Sequence, residues 1–185
     1  VENHSDRSEE ERWARLGEEI EAAVADADSD AGFAAEIARA EHAAVTLAAR
    51  LRASGEVTLH VPPALVVRGW VRHVGPDVVV IAESDATVAV PLAAIALVDG
   101  LAPALAWTPT TAAEKVGLAA VLRGWIDRRV VVQLRIGGAI AGEVVRVGAD
   151  HVDVMPDEPF AALRIARAIP FATVAAAVDR SGQPF

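Results

Sequence analysis

The chain has 185 residues, of which 53% are hydrophobic, too apolar for a disordered chain and enough for two small domains or one medium one. Its net charge of −9 falls almost wholly on the first third: residues 1–56 hold 14 acidic and 6 basic side chains, the remainder 12 and 11. That distribution excludes a chain-wide attraction to nucleic acid or anionic membrane, and the absence of cysteine excludes disulfides, thiolate metal sites and a cysteine nucleophile.

Val1 reads as an alternative start or a trimmed end, and the polar, acidic residues behind it give no secretory pattern, so a cytoplasmic location is expected. The longest apolar run, residues 88–98, is too short to span a bilayer and is interrupted by Pro91. Within the acidic segment, Ser8-Glu9-Glu10-Glu11 reads as a capping box, and Trp13, Leu16, Ile20 and Val24 continue at helical spacing. The turn formers of residues 26–32 end that helix. Asp30 caps a second, where Phe33, Ile37, Ala40, Ala44, Leu47 and Leu51 recur in steps of four and three until Ser54-Gly55 stops it. Two readings stay open for this hairpin: packing on itself or on the following domain, or dimerising and binding a partner.

From Val57 the hydrophobic period changes from helical to two. Val57, Leu59 and Val61 alternate with polar residues; residues 69–74 form a second strand ending in Gly75-Pro76-Asp77; residues 78–81, 87–90 and 95–98 give three more. Residues 130–178 repeat this pattern. Gly69 and Gly142 lie 73 positions apart, as do Val57 and Val130, Val74 and Val147, Gly75 and Gly148, and Asp77 and Asp150. Six extra residues follow the third strand, after which Val90-Pro91-Leu92 matches Ile169-Pro170-Phe171 at an offset of 79. An ungapped block with glycines, aspartates and apolar alternation in phase is an internal duplication. Thr111-Ala-Ala-Glu114 is a further capping box, and Leu118, Val121, Leu122 and Trp125 place a helix ahead of the second copy.

The segment Leu134-Arg-Ile-Gly-Gly-Ala-Ile-Ala-Gly142-Glu-Val144, an alternating strand, a Gly turn and a second Gly where the chain bends, resembles the first motif of the Sm-like proteins, a branch of the SH3-like small barrels. The tandem layout, with one lysine against 16 arginines, looks like that of a family of uncharacterised actinobacterial proteins. The resemblance implies an α+β fold: an N-terminal helical hairpin followed by two repeated five-stranded Sm/SH3-like barrels, each preceded by a helix. The expected segments are 1–56, acidic and helical; 57–99, the first barrel; 100–110, a linker; and 111–185, a helix with the second barrel. The family's RNA-binding residues do not carry over. Its Asp and Met-Asn positions hold Gly148, His151 and Val152, and its Arg-Gly pair is replaced by Pro170-Phe171 and Pro91-Leu92.

The five histidines are scattered without metal-ligand spacing, none of the six serines sits in a nucleophile elbow, and no Gly-rich loop precedes a helix. Asp77 and Asp150 read as turn residues bonding their own backbone, and Gly137-Gly138 as a two-residue hairpin turn. Arg123, Arg128 and Arg129 form the basic cluster. They read as a solvated helix end or as a contact for nucleic acid or an acidic partner. The functional expectation is a non-catalytic protein-interaction or scaffolding module without cofactor, metal or membrane. Its partner is an unidentified protein or a second copy; RNA or DNA binding through the second barrel is the alternative.

Overall fold

A computed structural model describes residues 45–103, 115–157 and 165–181, together with Arg15 and Glu36, both helical. The chain divides into Val1–Ala44 and Val45–Phe185, and the elements below all belong to the second unit. Helix α1 (Leu47–Ala53) starts where the Thr46 hydroxyl accepts the Ala49 N–H at 3.1 Å, and its last turn carries Arg50 and Arg52, the favourable charge at a helix C-terminus. Strands β1 (Glu56–Val61), β2 (Leu65–Val74), β3 (Val78–Ala82), β4 (Thr87–Pro91) and β5 (Leu97–Asp99) follow. Helix α2 (Leu118–Arg123) then precedes β6 (Arg129–Leu134), β7 (Ala139–Val147), β8 (His151–Pro156), β9 (Arg167–Pro170) and β10 (Val174–Asp179). Among the described residues, no helix is long and apolar enough to cross a membrane.

The ten strands make one antiparallel sheet in the order β5-β1-β2-β3-β4-β10-β6-β7-β8-β9. The order within the second half repeats that within the first, and so do the registers. Val57 faces Gly69 as Val130 faces Gly142, Val79 faces Val90 as Val152 faces Ile169, and Leu59 faces Val98 as Val132 faces Ala177. The bulge between Val71 and His73 recurs between Val144 and Arg146. A 3-10 turn, Leu92–Ala94 or Phe171–Thr173, leads into the last strand of each half.

Two glycines are required where β2 and β7 bend. A Cβ on Gly69 would overlap the Ala82 carbonyl oxygen, and one on Gly142 the Met155 carbonyl oxygen. Each neighbour is backbone of the adjacent strand, so the obstruction cannot be relieved by a side-chain rotation.

This architecture corrects the expectation of two separate five-stranded barrels. Neither half closes on itself: β4 pairs with β10, through Thr87↔Asp179, Val88↔Val178 and Ala89↔Ala177, and the two halves become one sheet. Among the described residues there are two short helices. Most of the expected hairpin and the Thr111–Glu114 capping box lie outside those residues. Period-two alternation reports which face of a strand is buried, not which neighbour its edge meets, so the alternating strands do not distinguish closure from fusion.

Fusion creates a wall with a core on each side. Val78, Val80 and Ala89 pack with α2 residues Leu118, Val121 and Leu122 and with Trp125, Val130 and Val152. Their alternating neighbours Val79, Ile81, Val88 and Val90 pack with Leu51, Leu59 and Val67 of the first half. Strands β3 and β4 are therefore buried on both faces, which is why residues 78–81 form an unbroken β-branched run.

The bends give the first prediction. Gly69→Ala and Gly142→Ala should each destabilise unit Val45–Phe185 by about 1–3 kcal/mol, the range for forcing a group into filled space. Urea unfolding followed by circular dichroism would measure it. An unchanged midpoint in either variant would show that the strands do not approach at that bend.

Candidate functional site

The junction of β4 with β10 is held by more than strand pairing. Asp77, in the β2–β3 turn of the first half, accepts the Leu118 N–H through Oδ1 at 2.8 Å and so satisfies the first free donor of α2. His73 Nε2 donates to the Val116 carbonyl oxygen at 2.8 Å. The side chain that sequence assigns to local turn bonding thus tethers the helix of the other half. A contact 41 residues away in the chain leaves no local signal.

The corresponding end of the second half is different. Asp150, the counterpart of Asp77, lies 2.8 Å from His151 Nδ1; the ring N–H donates to the carboxylate and holds its pKa below the ordinary aspartate value. Val78 and Val80, covered by α2, correspond to His151 and Asp153, and Asp153 accepts from Arg146 Nε at 2.7 Å. This end of the sheet is polar where the internal junction is apolar.

The arginines singled out in the sequence go to separate acceptors. Arg123 donates to the Gly148 carbonyl oxygen at 3.3 Å, Arg128 to Asp179 at 3.0 Å and Arg129 to Asp157 at 2.8 Å. Asp179 is buried and also accepts the Ser181 N–H and hydroxyl. Arg128 therefore supports the fold at the end of β10, while Arg129 and Arg123 lie at the surface.

A further surface emerges at the β5 edge. Val66 and Leu97 both lie opposite His60, on either side of β1, while Trp70 lies opposite Glu56. Period-two alternation puts Val66, Arg68, Trp70, Glu56, Thr58, His60, Leu97 and Asp99 on one face. Val66 and Leu97 are each 54% exposed and Trp70 59%. Between them lie a His60–Asp99 contact of 2.8 Å and an Arg68–Glu56 pair of 3.1 Å. Sequence reading starts the second strand at Gly69 and so misses Val66; the alternation of residues 65–70 was the available signal.

No three or more His, Asp or Glu side chains gather as a metal-binding group among the described residues. What the site offers chemically is apolar contact area, paired surface charges and, among the described residues, two outer strands, β5 and β9.

The two acidic partners of the arginines separate fold support from surface decoration. Asp179→Ala strands Arg128, a quarter exposed, beside a buried position and should cost about 2–4 kcal/mol. Asp157→Ala removes a pair whose arginine is 76% exposed and should cost less than about 1 kcal/mol. Equal losses in chemical denaturation would refute that division. Compared with family models and with curated proteins, the chain has no match.

Proposed function

We propose that the chain is a non-catalytic protein-interaction module that presents the outer strands of its sheet, and the apolar face beside β5, to protein partners. The observation carrying this reading is the exposure of Val66, Trp70 and Leu97 on that face, each more than half open to water. Exposed large apolar side chains sharing a face with paired charges suit an interaction site, where aromatic and apolar contacts combine with polar ones. An outer strand next to them adds backbone donors and acceptors that an incoming strand can pair. A cytoplasmic setting belongs to the same reading.

The nucleic-acid alternative rests on Arg123, Arg128 and Arg129. Two of them are engaged with carboxylates, which offsets the charge a phosphate would need.

The two readings separate experimentally. Val66→Asp combined with Leu97→Asp should abolish capture of a protein partner from an extract of the source cells, and nuclease treatment should leave wild-type capture unchanged. Capture that survives the double substitution, or that nuclease eliminates, would overturn the reading. In parallel, short single-stranded RNA and DNA should bind no tighter than roughly 10 μM in a fluorescence-polarisation titration at physiological salt. Submicromolar binding lost in R123A/R129A, which spares the structural Arg128, would put nucleic acid first.

A further inference from the structure

We propose that the chain assembles head to tail with copies of itself: β9 of one copy adds antiparallel to β5 of the next, in the register that β4 and β10 use within the chain. The inference rests on reading the outer strands as interaction edges and names their occupant.

The internal junction supplies the template. Strands β4 and β9 occupy the same place in their halves, as do β10 and β5. Their pairings to neighbours match residue for residue: Ile81↔Val88 corresponds to Val154↔Arg167, and Thr58↔Asp99 to Val131↔Val178. Carrying the junction's own pairs, Val88↔Val178 and Ala89↔Ala177, onto the outer strands sets Arg167 of one copy opposite Asp99 of the next and Ala168 opposite Val98. A partnered apolar pair is replaced by a pair of opposite charges at the same place in the ladder. Opposite charges directly across antiparallel strands attract, and like charges there repel.

Burial points the same way. Inside the chain Val88, Ala89 and Ala177 are each at most 1% exposed. Their counterparts Arg167 and Ala168 are exposed, and Val98 is half-buried. Among the described residues, the outer strands are thus versions of β4 and β10 without the strand pairing those two give each other. A charge placed on an outer strand would also serve to prevent pairing. That purpose alone requires no opposite charge at the matching position of the other edge, and Asp99 stands there.

Two features follow from the geometry. The contact is heterologous, one end meeting the other, so copies add into a ring or an open filament rather than a two-fold dimer. Its facing residues include Arg167 and Asp99 where the internal junction has Val88 and Val178, so it weakens as salt rises.

The test is the mass distribution of the full chain by sedimentation velocity over a wide concentration range at low and high salt. Wild type should reach integer multiples of the chain mass at low salt and dissociate at high salt. Arg167→Asp and Asp99→Arg should each weaken self-association about 10- to 100-fold by setting like charges opposite each other. An equimolar mixture of the two variants should assemble again, because each junction then joins either the native charges or their reversal; the double variant should assemble alone. The mixture also serves as a folding control, since misfolded variants would not recover. A wild type that stays monomeric at all concentrations and at low salt overturns the proposal, as does assembly indifferent to both single substitutions. If the monomeric wild type still captures a partner through Val66 and Leu97, self-pairing fails while the interaction module stands; if capture is absent as well, both fail.

Discussion

The antiparallel pairing of β4 with β10 determines the character of nearly every other element. Without it β4 would be an outer strand, and Val88, Ala89 and Val90 would lose their cover on one edge. With it, β3 and β4 sit in the middle of a ten-stranded sheet and are lined with apolar side chains on both faces. The same pairing brings α2, which belongs to the second repeat by sequence, against Val78 and Val80 of the first. Backbone ladders contribute modestly per bond, but leaving buried donors and acceptors unpaired costs more than making them. The apolar cover and the ladder at this junction therefore depend on each other.

Duplication explains both the regularity of the sheet and its asymmetry. The two halves share strand order, bulge position, bend glycines and the 3-10 turn before the last strand, features set by local geometry. They differ where one copy is internal and the other terminal. Val78 and Val80 became or remained apolar beneath α2, whereas the equivalent His151 and Asp153 pair with Asp150 and Arg146. Asp77 caps a helix across the junction, while Asp150 binds its neighbour in the chain. The template is common and the environment chooses the side chains, the general behaviour of stacked repeats whose end units turn a polar face outward.

Much of this was legible in the residues, and the omissions have physical causes. Alternation of Val57, Leu59 and Val61, the glycines at 69 and 142, and the offsets of 73 and 79 locate the strands and the repeat, because these signals are local. The bend glycines follow from the residues alone, since a Cβ would obstruct the bend, and the obstructing neighbours are the carbonyls of Ala82 and Met155. The hairpin turn is longer than the two residues the Gly pair suggests: Gly137 and Gly138 do take positive φ, but β6 ends at Leu134 and β7 starts at Ala139, leaving four residues between them. Closure of each half into a barrel was the larger error, and it concerns which strand edges meet. The doubly apolar run of residues 78–81 was the one available clue, since a strand with solvent on one face should have alternated. For the candidate site, Arg123, Arg128 and Arg129 drew attention by proximity in sequence, yet folding sends them to Gly148, Asp179 and Asp157. The exposed trio Val66, Trp70 and Leu97 has no local signature because it is assembled by strand pairing between separate segments.

Backbone proton contacts across the β4 edge test the continuous sheet most directly. In a uniformly labelled sample, nuclear Overhauser effects should connect the backbone protons of residues 87–89 with those of residues 177–179, following the pairs Thr87↔Asp179, Val88↔Val178 and Ala89↔Ala177. Contacts from β4 to Leu97–Asp99 in their place would mean that the first half closes on itself, and the single-sheet account would be wrong.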